Sequence, residues 1–220
     1  LKSGYRLFFS RGMLIGTGTL PVTMIVGGLL SGLSFLQIVL QSLPVLLFCF
    51  LLMFGIWRFP EQTVRAFTVF ADVIRLLTTI GLIAGAFCYM TGFSLLPDLA
   101  PLEDAMTVVS SIGIVLLGSL PTAELLQRVL KKPLSFIGRK TGMNDSSAAG
   151  LLMGIVSPVP AITMMEKMDE RGKIVNAAFL VSAASTIAAH MGFTFGTDPD
   201  FVVPLLVAKL AGGIAAVCAA

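Results

Sequence analysis

Six runs of about 20 apolar residues dominate this chain, and that length is what a helix needs to cross the hydrocarbon of a bilayer. The runs are residues 13–33, 35–57, 76–96, 105–127, 174–195 and 201–220. Hydrophobic residues make up 56% of the chain and charged residues only 12%, whereas a soluble domain carries roughly 25% charged residues. The sequence therefore predicts an all-α membrane protein, a polytopic helix bundle with about six transmembrane helices.

A seventh apolar run, residues 146–165, contains both Pro158 and Pro160. Two prolines this close together remove backbone donors and break a helix. In lipid, such a break survives only where protein or a watery cavity satisfies the backbone. We expect this run to form a re-entrant hairpin with its tip at the prolines. The alternative is a kinked helix that crosses the membrane completely.

The basic residues favour the hairpin, because lysine and arginine collect on the cytoplasmic side of membrane helices. Fourteen of the fifteen basic residues lie in four short stretches, within residues 2–11, 58–75, 128–140 and 167–173. If the seventh run enters and returns, all fourteen share the inner side and the outer loops hold only acidic residues. If the run crosses, eleven of these basic residues lie on the inner side and three lie on the outer side.

Interrupted segments at the bilayer centre are where secondary transporters bind substrates and ions. A helical rise of 1.5 Å per residue places the proline tip about 16 Å deep, and it places the glycine-rich residues 16–21 about 15 Å deep. We therefore expect these two segments to frame a substrate site, with the hydroxyls of Thr17, Thr19 and Ser157. The alternative for residues 16–21 is close packing against neighbouring helices.

Polar residues within or beside the apolar runs are the remaining candidates for the site. Lys209, about 13 Å deep, is expected to be a counter-charge in the bundle or a group that excludes or replaces a cation. His190, the one histidine, either faces the pathway or is a polar residue satisfied by its surroundings. Glu124 is a candidate cation ligand, although an ion pair with Arg128 is the simpler interpretation. Asn144 is expected to cap the first hairpin arm, with substrate contact as the alternative.

Other classes of function fit the sequence less well. The net charge of +3 is modest and lies in loops, without a basic and aromatic platform for nucleic acid. One histidine cannot supply the ligand set of a membrane metalloprotease, and we expect no catalytic residue, metal or cofactor. A non-transporting anchor or assembly subunit would have uninterrupted spans without buried charge. The sequence leaves open whether the chain forms a homo-oligomer.

Several stretches carry a family likeness. They are AAG at 148–150, MMEKMDERGK at 164–173, VSAA at 181–184 and HMGF at 190–193. These stretches resemble the ethanolamine utilisation permease family, over nearly the whole chain and most specifically between residues 150 and 193. The resemblance implies one transmembrane transporter domain over residues 1–220, the C-terminal portion of a longer family chain. It further implies uptake of ethanolamine across the bacterial inner membrane, with a small amine and the lipid bilayer as partners.

The sequence departs from the family pattern in two places. Ala189 stands where the family has an aspartate before the histidine, and Ser157 and Pro158 stand where it has paired asparagines. Because an ammonium favours a carboxylate partner, the substrate stays open between ethanolamine, a related small amine and another small polar solute. If ethanolamine is carried, its charge must be met by Glu124, by the missing part, by carbonyls at the hairpin tip or by an aromatic face such as Phe193.

Overall fold

The structure, a computed structural model, describes residues 6–93 and 101–220, and within those ranges it contains helices and no β-strand. The helices are α1 (Arg6–Leu30), α2 (Phe35–Arg58), α3 (Pro60–Thr91), α4 (Leu102–Thr141), α5 (Asp145–Val156), α6 (Pro158–Met164), α7 (Glu170–Ala183), α8 (Met191–Thr197) and α9 (Val202–Ala219). Five described stretches are long and apolar enough to cross a membrane, namely Leu7–Leu30, Phe35–Arg58, Pro60–Thr91, Glu170–Thr197 and Pro199–Ala219. The predicted all-α class is confirmed.

The predicted spans are shorter than some of the helices that contain them. Residues 105–127 lie within α4, which continues to Thr141. Residues 76–96 begin halfway along α3, and the last three of them lie outside the described residues. At 32 residues, α3 is about 48 Å long, so it exceeds a hydrocarbon core of roughly 30 Å. Its first half therefore has room to extend beyond the lipid.

Helices α1, α7 and α9 form the tightest part of the bundle. Gly12 lies against Ile174 and Ala177, and Gly16 lies against Ala178 and Val181. The later residue of α1 contacts the later residues of α7, so the two helices run parallel. Helix α9 runs the other way, since its Ala208 lies near Gly27 while its Gly212 lies against Thr23. Glycines at these crossings let the backbones approach closely, as is usual between membrane helices.

The parallel course of α1 and α7 supports the predicted topology. Both helices begin at basic stretches, with Arg11 early in α1 and Arg171 early in α7. Two parallel spans start on the same side of a membrane, so the number of crossings between the end of α1 and the start of α7 must be odd. If α2, α3 and α4 each cross once, they supply three crossings, and the hairpin then adds none.

The seventh apolar run is a hairpin whose two ends meet. The side-chain amide of Asn144, before α5, donates a hydrogen bond of 2.9 Å to the carbonyl of Lys167, after α6. A complete crossing would separate such residues by roughly 30 Å. The expected re-entrant form, with the chain turning at Ser157 and Pro158, is therefore the one found.

One expected break is absent, because α1 is a continuous helix from Arg6 to Leu30 with Pro21 inside it. The segment 16–21 is thus not an interrupted segment, and this prediction was wrong. Proline lacks the N–H that would bond the carbonyl four residues earlier, but packing by neighbouring helices makes such positions tolerable in membranes. The contact of Gly16 with Ala178 and Val181 shows the alternative, close packing, at this segment.

Helix α4 delivers the chain to the hairpin through a glycine turn. Gly142 follows the helix with φ of 72°, in the left-handed region where glycine is preferred. The N–H of Met143 then donates to the carbonyl of Gly138 at 2.7 Å, which is the bond that closes a Schellman motif. The turn brings Asn144 into position to begin α5.

Candidate functional site

The hairpin tip exposes the carboxyl-terminal end of α5. In a continuous helix, the carbonyls of Gly154 and Val156 would accept from residues 158 and 160, but both of those are prolines without an N–H. Ser157 between the arms is extended, with φ of −152° and ψ of 134°. Pro158 opens α6, where a missing N–H costs nothing because the first turn has no internal partners. The prolines thus end one arm and begin the other, and they release carbonyls at the tip.

A second break lies between α7 and α8, at residues 184–190. Ala184 leaves the helix with ψ of 138°, Ser185 has φ of 55°, and Ala188 has φ of −127° with ψ of −105°. The sequence predicted a membrane span over residues 174–195, and the break within this span was not predicted. Its apolar character is correct, and the whole stretch Glu170–Thr197 remains long enough to cross a membrane.

The two breaks are joined by one backbone hydrogen bond. The N–H of Ser185 donates to the carbonyl of Gly154 at 3.0 Å. It would have bonded the carbonyl of Val181 had α7 continued, so that carbonyl loses its helical donor. Next to this bond, Val156 and Ala188 are fully buried against each other, with Leu116 of α4 and Ile187 packed around them. Two interrupted segments therefore do meet, but the partner of the hairpin is the break after α7.

The electrostatic character of this junction follows from the direction of its helices. Helices α5 and α7 both end here, and a helix carries a partial negative charge at its carboxyl end, with the last carbonyls unsatisfied. Freed carbonyls and half-helix ends of this kind coordinate cations in secondary transporters. Helices α6 and α8 begin at the same two breaks with the opposite polarity, so the possible cation ligands at this junction are the freed carbonyls themselves. On its outer side, Gly192 of α8 lies against Ile112 and Val115 of α4.

A hydrogen-bonded cluster at the base of the hairpin, which we call the base clamp, fixes the position of the tip. It consists of Asn144, Ser147, Lys167 and Asp169. Asp169 Oδ1 accepts from the Asn144 N–H at 2.9 Å and from Ser147 Oγ at 2.5 Å, and its Oδ2 accepts from the Gly172 N–H at 3.1 Å. Burial acts to raise the pKa of Asp169, but these hydrogen bonds outweigh it and hold the pKa below its usual value. Asp169 caps α7 and ties it to α5 at once.

Asn176 extends this connection one turn into α7. It is fully buried, and its Nδ2 donates to the carbonyls of Ser147 at 2.8 Å and Gly172 at 2.9 Å. Its Oδ1 lies against Gly150 and has no donor within the described part of the chain. The first arm and α7 are therefore held together from the base to the tip.

The structure places three of the predicted site residues near the junction. Ser157 forms the tip itself. The imidazole of His190, at the end of the second break, interacts with the carbonyl of Ala184 and lies within Coulombic range of Lys209. His190 is exposed in the described chain, and Lys209 is half-buried on α9.

The other four predicted residues have partners elsewhere. Thr17 Oγ1 donates to the Met13 carbonyl at 2.7 Å, and Thr19 Oγ1 donates to the Gly16 carbonyl at 2.9 Å, so both hydroxyls bond their own helix. Glu124 forms the expected ion pair with Arg128. Asn144 caps α5, since its Oδ1 accepts from the Ser147 N–H at 2.8 Å. Capping and pairing are thus the interpretations that the structure supports for these last two.

Sequence reasoning missed Ser185, Gly154 and Asn176. Neither glycine nor proline marks the second break, and Ser185 is an unusual residue for a left-handed conformation. The one available signal was the hydroxyl run of Ser182, Ser185 and Thr186 within an apolar segment. No group of three or more His, Cys, Asp or Glu side chains that could hold a metal ion is present among residues 6–93 and 101–220.

Comparison with known proteins relates the chain to a protein family. The model of the family described as "Ethanolamine utilisation protein, EutH" matches residues 1–220. "Probable ethanolamine permease EutH" of Listeria monocytogenes serotype 1/2a (strain 10403S) is 38% identical over 99% of this chain. The protein of the same name from Escherichia coli (strain K12) is 33% identical over 96% of the chain, and "Uncharacterized protein YxeR" of Bacillus subtilis (strain 168) is 31% identical over 97%. The chain spans 58% of the length of each of these relatives. No solved structure matches it.

Proposed function

Because the chain belongs to the EutH family of ethanolamine utilisation proteins, we propose that the whole protein is a membrane permease that imports ethanolamine or a related small amine. Relatives that are 33% and 38% identical carry the name of probable ethanolamine permease. The several apolar helices make this a multi-pass membrane protein. The basic stretches at the starts of α1 and α7 suit the cytoplasmic face of a bacterial inner membrane.

The observation that carries the proposal is the meeting of the α5 and α7 carboxyl ends at the Ser185–Gly154 hydrogen bond. Ethanolamine is positively charged at neutral pH, and its ammonium group offers three donors. The carbonyls of Val156 and Val181, which have lost their helical donors, are acceptors for such a group. A hydrogen bond to a charged donor contributes about 1.5–3 kcal/mol, so two of them suit the weak, reversible binding that a carrier needs.

This arrangement accounts for the missing aspartate. Ala189 occupies the position where the family pattern has a carboxylate, and Glu124 is already paired with Arg128. Backbone carbonyls and helix ends then supply the negative potential instead. We assign the hydroxyl of Ser157 to the alcohol end of the substrate, since a serine hydroxyl both donates and accepts.

The test is uptake of labelled ethanolamine by cells that express the full-length protein. Wild type is expected to accumulate label above a vector control. Pro160→Ala returns the N–H that a continuous helix would direct at the Val156 carbonyl, so it favours closure of the break, and we expect it to reduce uptake about tenfold, as the loss of one such hydrogen bond predicts. Pro44→Ala is the matched control, because Pro44 also lies within an apolar helix but is exposed on α2.

Two results would contradict the proposal in different ways. Absence of wild-type uptake above vector, for ethanolamine and for related small amines alike, would exclude an amine substrate. Equal uptake by wild type, Pro160→Ala and Pro44→Ala would keep the substrate and remove the site. Competition by unlabelled amines and by uncharged diols of the same size then distinguishes an amine permease from a carrier of other small polar solutes.

A further inference from the structure

Lys209 lies beside the second break. Four residues further along α9, Gly213 lies against Phe179 and Ala183, in the last turn of α7. Residues four apart share a helix face, and α9 runs antiparallel to α7. Lys209 is therefore placed next to the chain that follows Ala183.

No carboxylate balances this lysine in the described part of the chain. The ion pairs found there join Arg75 to Asp72 and Arg128 to Glu124, and Lys209 is half-buried within an apolar helix. A charge in such a place is unfavourable unless carbonyls, a carboxylate or water compensate it. The carboxyl end of α7, beside which α9 places Lys209, has the opposite sign. His190, at the end of the second break, cannot supply negative charge.

We propose that Lys209 is a tethered cation that neutralises the carbonyl junction while the junction is empty and is displaced when a substrate ammonium binds. The lysine then does the work that a bound sodium or potassium ion does in a carrier coupled to that ion. The part that concerns the substrate rests on the proposed function, whereas the presence of a cation site does not. Removal of Lys209 should expose a site for a free monovalent cation.

The test measures thermal unfolding of the full-length protein in detergent, in 100 mM sodium chloride and in 100 mM N-methyl-D-glucamine chloride. Lys209→Met and Lys209→Gln are expected to unfold about 2–4 °C higher in sodium, because a ligand that binds only the folded state raises the midpoint. Wild type and Lys209→Arg keep a tethered cation, so their midpoints should be the same in both salts. Lys167→Met is the matched control, since it removes an exposed lysine from the loop after the hairpin.

If the unfolding midpoints of both Lys209→Met and Lys209→Gln are the same in the two salts, the inference is overturned, whether or not ethanolamine binds. If one of these variants fails to fold, the other gives the measurement, and failure of both to fold while Lys209→Arg folds would show a structural role instead.

A separate binding measurement tests the displacement of Lys209 by substrate. Ethanolamine should bind Lys209→Met at least fivefold more tightly than wild type, and equal binding would overturn displacement. Absence of binding to wild type would count against the proposed function and leave the sodium result to decide the cation site.

Discussion

The N–H of Ser185 donates to the carbonyl of Gly154 across a 3.0 Å hydrogen bond, and this contact joins the two interrupted segments of the chain. Ser185 reaches it with φ of 55°, a conformation that costs a non-glycine residue about 1–2 kcal/mol. Such strain persists only where surrounding contacts impose it. Here the bond to the hairpin and the buried pair of Val156 and Ala188 impose it.

Replacement of Ser185 tests this strain directly. Ser185→Gly should leave stability unchanged or raise it by up to about 1 kcal/mol, because glycine adopts the left-handed region without penalty. Ser185→Val should lower stability by about 1–2 kcal/mol. Ser110→Gly, on an exposed turn of α4, is the control and should destabilise by about 0.5–1 kcal/mol. Thermal unfolding in detergent ranks the stabilities of the three variants. If Ser185→Gly is less stable than wild type, the left-handed conformation of Ser185 is contradicted.

Asp169 should be the most important side chain of the base clamp. Asp169→Ala removes the acceptor for Asn144, Ser147 and Gly172 together, and we expect a loss of about 2–4 kcal/mol from the cap and the unsatisfied donors. Asp200→Ala removes an exposed carboxylate at the other end of the bundle and should change stability by less than about 0.5 kcal/mol. Equal unfolding midpoints for the two variants would show that the clamp contributes nothing.

The same carboxylate predicts how stability depends on pH. Its pKa is lower in the folded protein than its usual value of 3.8, so the folded state binds this proton less readily than the unfolded state does. The stability it contributes is complete above the unfolded pKa and is lost as the pH falls through the folded pKa. Between pH 5 and 7 this group should not affect the unfolding temperature of wild type. At pH values below about 4 the unfolding temperature should decrease. The unfolding temperature of Asp169→Asn should decrease less steeply at low pH than that of wild type. The same decrease in both proteins would contradict this prediction.

Glycine at position 16 should be required by packing. A Cβ there would meet the Ala178 carbonyl and the side chain of Val181, so Gly16→Ala is expected to destabilise by about 1–3 kcal/mol through overpacking. Gly81→Ala, where nothing lies within 4 Å, should instead stabilise α3 by about 0.5–1 kcal/mol, since alanine is the better helix former. The sign of the difference, measured by thermal unfolding, decides whether α1 and α7 pack as described.

Labelling from outside the cell tests the topology. In a cysteine-free full-length protein, Lys167→Cys should react with an impermeant maleimide only after the cells are permeabilised, because the hairpin returns to the cytoplasmic side. Asp200→Cys, in the turn before α9, should react in intact cells. Reaction of Lys167→Cys in intact cells would show that the hairpin crosses the membrane.

Which structural features the sequence revealed depends on how local their causes are. Pro158 and Pro160 break a helix wherever they stand, because they lack an N–H, and the hairpin was predictable from them. Residues 16–21 gave a similar signal and misled, since contacts with α7 hold α1 together at Pro21. The pairing of Glu124 with Arg128 and the capping by Asn144 were also predictable, because each joins residues three or four positions apart.

The sequence by itself determined the number and approximate extent of most apolar helices and the presence of a hairpin, and it predicts the side on which the basic residues lie. Each of these follows from the chemistry of short stretches of chain in lipid. Only the tertiary structure decided which segment meets the hairpin tip. The break after Ala183 arises because Ser185 bonds Gly154, 31 positions earlier by residue number, and a hydrogen bond over that separation leaves no local pattern in the sequence. The carbonyl junction beside Lys209 exists only where those two distant segments are brought together.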